Sequence, residues 1–194
     1  MRRQINAAVR AALDLQRALE EGGFPHCFIG GLAIQRWGEP RMTNDADATV
    51  LTQFHRDEEL ADFLLGKFAA RRADAKAFAL RNRVLLLVAN NGVNLDIGLG
   101  ALDFEMRSIE RSTFWTYTPR RLIRTCSAED LVVHKAFAGR DRDWIDVDMV
   151  LLRQGQKLNV PQVFEELVPL AELKEDCDTV PRLQTMMRKR GVLE

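Results

Sequence analysis

Apolar positions along the chain recur at helical spacing at its start, alternate in its middle and return to helical spacing at its end. Ala8, Ala12, Leu15 and Leu19 predict an amphipathic helix over residues 2 to about 20, with Gly22-Gly23 as its stop. His26 to Ile29 reads as a short strand, Leu32 to Trp37 as a short helix with Ile34 and Trp37 inward, and Asp45 to Leu51 as a second strand. Arg56 to Arg71 predicts a helix burying Leu60, Phe63, Leu64 and Phe68. The apolar runs 83–89 and 93–99 flank Asn90-Asn91-Gly92, a hairpin signal. On the second arm Val93, Leu95, Ile97 and Leu99 share one face, and Asn94, Asp96 and Gly98 the other. Leu102 to Ile109 reads as helix with Phe104 apolar, and Thr113 to Arg124 as extended chain broken at Pro119.

The pattern changes near residue 125. Ser127-Ala128-Glu129-Asp130 has the capping-box form and opens a helix through Leu131, Val132, Lys135 and Phe137. Asp141 to Arg153 continues helically with Trp144, Val147, Val150 and Leu151 inward; Pro161 to Leu170 and Val180 to Arg190 complete a helical tail. These elements predict an α/β (α+β) chain: a short mixed sheet flanked by helices over residues 1–125, then a packed C-terminal helical region over residues 126–194.

The candidate chemistry sits between Phe28 and Leu51. In a strand, the period of two puts Asp45 and Asp47 on one face. Neighbouring carboxylates repel, and a cation between them removes the repulsion; Mg²⁺ is the hard cation that suits a few carboxylates plus phosphate oxygens. Upstream, Gly30-Gly31 lacks Cβ atoms and lets backbone approach a phosphate at the start of a helix. The plainer alternatives are a turn or cap for Asp45 and Asp47, a strand-to-helix turn for the glycines, and an arginine-paired strand carboxylate for Asp96.

Ile29-Gly30-Gly31 followed by Asp45-Ala46-Asp47 in an apolar strand resembles the signature of the nucleotidyltransferase superfamily. Arg41-Met42-Thr43-Asn44-Asp45 resembles the form found in its AbiEii/AbiGii toxin-like bacterial branch. The resemblance implies a third acid on a neighbouring strand, and Asp96 stands in the right arm of the hairpin. It further implies two Mg²⁺ ions held by Asp45, Asp47 and Asp96, and an NTP cradled by Gly30 and Gly31. Lys135 and a later acid, Asp143 or Asp146, are implied in nucleotide binding. Arg41 and Thr43 either position phosphates or hold their loop to the helical tail. In an unbroken helix Lys135, Arg142 and Asp146 would form a stripe, unless Gly139 breaks its register. Ala46 and Ala48 stand where larger aliphatics are common in the family, which predicts a lightly packed strand.

Composition narrows the partners. Formal net charge is zero, so no global basic field argues for generic nucleic-acid binding. Three scattered cysteines and three scattered histidines have no zinc-site spacing, and the thiols point to a reducing, cytoplasmic setting. No apolar run reaches the roughly 20 residues of a membrane span. The expected reaction is transfer of a nucleoside monophosphate from an NTP to a hydroxyl acceptor (a tRNA end, a protein or a small molecule), with a cognate antitoxin as a further partner. A family member that binds nucleotide or a partner protein without turnover is the alternative. A glycosyltransferase also uses Asp-x-Asp, but lacks the upstream glycine pair and the hairpin acid.

Overall fold

The computed structural model describes residues 6–194. By internal contacts the chain divides into two compact units, Met1–Leu32 with Met42–Cys126, and Ala33–Arg41 with Ser127–Glu194. The division falls inside one helix, α2 (Gly30–Trp37).

The first unit is a seven-stranded mixed sheet in the order β3-β4-β5-β2-β1-β7-β6. Its strands are β1 (His26–Phe28), β2 (Asp45–Leu51), β3 (Ala69–Ala70), β4 (Val84–Val88), β5 (Asn94–Gly100), β6 (Thr113–Thr118) and β7 (Arg121–Thr125). Two antiparallel hairpins, β4–β5 and β6–β7, reach the centre by parallel pairing of β5 with β2 and of β7 with β1. Gly92 takes the positive φ that the first hairpin's turn requires.

Helix α1 (Ala7–Glu21) lies against β2 and β7; residues 2–5 of the expected helix lie outside the described residues. Ala46 and Ala48 are fully buried in the core that contains Ala8, Ala11 and Ala12. Small side chains on both surfaces let helix and sheet approach closely, so the alanines pack this strand rather than lighten it. The helix expected over Arg56–Arg71 ends earlier: α3 spans Asp57–Leu65, Gly66 closes it, and the chain enters β3. Phe68 is buried from that turn. A further helix not expected from the pattern, α4 (Ala75–Asn82), has apolar residues but no amphipathic spacing to announce it. It ends on Arg83 in the left-handed conformation, whose guanidinium donates to the Asp57 carboxylate and the Leu99 carbonyl. Helix α5 (Asp103–Glu110) starts where Glu105 accepts from the Ala101 and Leu102 amides.

The second unit is helical: the rest of α2, then α6 (Ala128–Ala138), α7 (Asp141–Gln154), α8 (Val160–Leu173) and α9 (Thr179–Lys189). Ser127 caps α6 by accepting from the Asp130 amide at 3.0 Å. Trp144, Val147, Val150 and Leu151 are buried along α7, as their spacing predicts. Cys27 and Cys126 are buried thiols and Cys177 is exposed. Among the described residues no helix is long and apolar enough to cross a membrane.

Candidate active site

Parallel pairing of β2 with β5 sets Asp45 beside Asn94, and Asp47 beside Asp96. Residues level with each other on adjacent strands share a face, so all three acids lie on one side of the sheet. The other side carries Ala46, Ala48, Val50, Leu95, Ile97 and Leu99, all buried in the core. Asp96 therefore faces away from the core, toward the acid pair.

The glycine pair closes in on the acids. Gly30 has φ +56, and a Cβ there would stand 2.0 Å from Asp47 Oδ2. A Cβ on Gly31 would stand 2.3 Å from Thr43 Oγ1. Asp47 thus abuts the N-terminus of α2, whose first-turn amides favour a negative charge. Thr43 is buried against Gly31, and its hydroxyl donates to Asp45 Oδ1 at 2.7 Å. The glycines form a strand-to-helix turn, and the closest groups to them are the acid site's own side chains.

Each outer carboxylate already has a protein partner. Asp45 takes the Thr43 hydroxyl, and Asp96 Oδ1 lies 2.8 Å from Arg71 Nη2. That second contact is an ion pair without the directionality of a hydrogen bond, for the same buried oxygen has no hydrogen-bond partner. Burial raises the Asp96 carboxyl above the ordinary aspartate range, Arg71 opposes this, and the charge of Asp45 adds to it. Among the described residues no three acidic, histidine or cysteine side chains stand together as a ready-made metal cage. Three aspartates on one face are nevertheless hard oxygen donors of the kind a divalent cation takes.

The later residues form a second cluster, in the helical unit. Gly139, with φ +67, ends α6, so Lys135, Arg142 and Asp146 do not make one continuous stripe. The turn instead brings Lys135 Nζ to 2.8 Å from both Asp143 and Asp146. The resemblance left either acid open; Lys135 pairs with both. Arg140 pairs with Asp143 at 2.6 Å, and Arg41 grips Asp146 through two bonds of 2.9 Å. Burial pushes both carboxyls up, but the guanidinium and ammonium donors outweigh it and hold them below the ordinary range. Lys135 is thus an enclosed member of an ion network, and Arg41 ties the segment before the acid strand to α7.

Pattern reading missed Arg71 and Arg140. Arg71 fell at the end of an expected helix; only its place one residue past β3 shows that it is part of the acid face. Arg140 carries a readable signal, an i, i+3 partner of Asp143 directly after a helix-ending glycine.

Comparison with solved structures finds the same fold. An antigenic nucleotidyltransferase-like protein from Paracoccidioides brasiliensis superposes with a TM-score of 0.50 at 13% identity, over 91% of this chain and 92% of that one. ANT(2")-Ia, solved in complex with adenylyl-2"-tobramycin, superposes with a TM-score of 0.54 at 16% identity, over 86% and 98%. No curated protein sequence matches the chain. The model of the family described as nucleotidyl transferase AbiEii toxin, type IV toxin–antitoxin system, matches residues 14–189, and the chain belongs to that family.

Proposed function

We propose that the protein transfers a nucleoside monophosphate from an NTP to a hydroxyl acceptor with release of pyrophosphate. The observation that carries this reading is the register of β2 on β5, which lines up Asp47 with Asp96 and leaves Asp45 two residues away on the same face. Asp45, Asp47 and Asp96 would hold Mg²⁺; when bound, such ions offset charge on the attacking and leaving oxygens. The acceptor oxygen attacks the α-phosphorus, the bond to the bridging oxygen breaks, and pyrophosphate leaves. Asp96 would accept the hydroxyl proton. Gly30 and Gly31, packed against Asp47 and Thr43, would present their backbone amides to the β- and γ-phosphates, and Thr43 fixes the Asp45 carboxylate. The family resemblance implies nucleotide binding by Lys135 and a later acid; Lys135, Asp143, Asp146 and Arg41 form one braced network within the helical unit. The family's type IV toxin–antitoxin description supports a cognate antitoxin as genetic partner, and the reaction as drawn suits the cytoplasm.

Binding without turnover is the second reading, favoured by the partners that Asp45 and Asp96 already have. One experiment separates the two. Wild-type protein and Asp47→Asn are incubated with α-³²P NTP, Mg²⁺ and total cellular RNA, cell protein or small hydroxyl compounds, and melted without metal. Label transfer by wild type alone, with the variant melting at or above the wild-type temperature, is expected. An unfolded variant would make Asp47 structural, and nucleotide binding without transfer by either protein would establish the binder.

A further inference from the structure

Arg71 continues the edge of the sheet by one residue. Ala70 pairs with Leu87, and the Arg71 amide donates to the Leu86 carbonyl at 3.1 Å. Leu86 is in turn level with Asp96, and Asp96 with Asp47. One row therefore crosses four strands, Arg71, Leu86, Asp96, Asp47, with its two ends of opposite charge. The guanidinium spans Leu86 to reach Asp96 Oδ1 at 2.8 Å, and both side chains remain accessible, at 25% and 36% exposure.

This contact is made to be exchanged. Its oxygen is buried, yet both side chains reach solvent and the contact lacks hydrogen-bond directionality, so a more strongly bound cation can replace it. A guanidinium and a divalent cation repel each other and seek the same oxygen. We propose that Arg71 is the resident counter-ion of the acid row: it occupies Asp96 in the metal-free protein and releases it when a divalent cation binds. The inference rests on the metal-site reading above and adds a positioning residue to it. Arg71 keeps the acid row from carrying an uncompensated charge, and its displacement makes metal loading weaker than three aspartates alone would give. The neighbouring Arg72 is engaged elsewhere, with Asp74 at 2.9 Å and stacked on Phe78, and shares none of this.

The test is a Mn²⁺ titration read by electron paramagnetic resonance, on full-length protein without nucleotide. Arg71→Met and Arg71→Gln should bind Mn²⁺ about tenfold more tightly than wild type, the scale of one nearby charge in a partly solvated site. Arg71→Lys, which keeps the charge, should stay near the wild-type affinity, and so should Arg72→Met, which removes a charge off the row. Melting temperatures of all the variants show whether each is folded. Unchanged or weaker Mn²⁺ binding by folded Arg71→Met and Arg71→Gln overturns the exchange, as does an equal gain in Arg72→Met. Absence of Mn²⁺ binding in every protein, with wild type folded, overturns the metal-site reading, and the exchange with it.

Discussion

Gly30 is where backbone conformation and site chemistry coincide. Its positive φ alone costs an L-residue about 1–2 kcal/mol. Its missing side chain leaves the space that the Asp47 carboxylate fills, since an added Cβ would stand 2.0 Å from Oδ2. Gly30→Ala should therefore lower stability by at least that backbone cost and abolish nucleotide transfer, because relief of the clash moves an acid of the site. Chemical denaturation alongside label transfer tests both halves; a variant with wild-type stability would show that neither constraint holds. This much was legible from residues: a glycine pair at a fixed distance before Asp-x-Asp. The partner in that close approach was not, since one-dimensional order carries no distance between Gly30 and Asp47.

Between elements, the turn at Gly139 matters most. It reverses the chain between α6 and α7, so that one lysine meets two aspartates across a helix pair. All three side chains are nearly enclosed, with exposures of 11% for Lys135 and 2% for each acid. Removing the lysine leaves two buried carboxylates sharing less positive charge. Lys135→Met should cost about 3 kcal/mol in guanidinium denaturation, the scale for breaking a buried pair from one side. A melting curve unchanged from wild type would instead assign Lys135 to ligand alone. The sequence offered a capping box, amphipathic spacing and a helix-ending glycine, and each became an element boundary or a buried face. The end of α3 was not legible, because Phe68 continues the helical spacing of Leu60 and Leu64 past Gly66, and only pairing with β4 pulls the following residues into β3. Arg71 was lost to pattern reading for that reason.

Across the molecule, two buried histidines contribute to the response to acid. Burial lowers the His26 imidazole, with a bond to the Phe24 carbonyl and the charge of Glu20 opposing it and Arg124 adding to it. Burial brings His134 to about 4, against the opposing charge of Asp130. The unfolded chain takes up protons near 6.5 while the folded chain stays neutral, so stability falls as pH drops from 6.5 toward about 4. Asp96 acts with the opposite sign: its raised carboxyl binds a proton in the folded protein first, which favours folding as pH falls toward its unfolded value. Melting temperatures from pH 7 to 4 should therefore fall for wild type and fall less for His26→Gln/His134→Gln. An undiminished slope in the double variant would place the sensitivity in other groups. None of this was readable beforehand; scattered histidines say nothing of burial until the fold encloses them.

The three cysteines give the molecule its own clock and its own handle. Cys27 lies within β1 and Cys126 directly after β7, where its amide donates to the Phe28 carbonyl, so both thiols are sealed at the centre of the sheet. A thiol reagent reaches either one only when the packing over it opens, and their labelling rate measures how often that happens. Cys177, exposed between α8 and α9, reacts at once and accepts a fluorophore in the helical unit without any engineering.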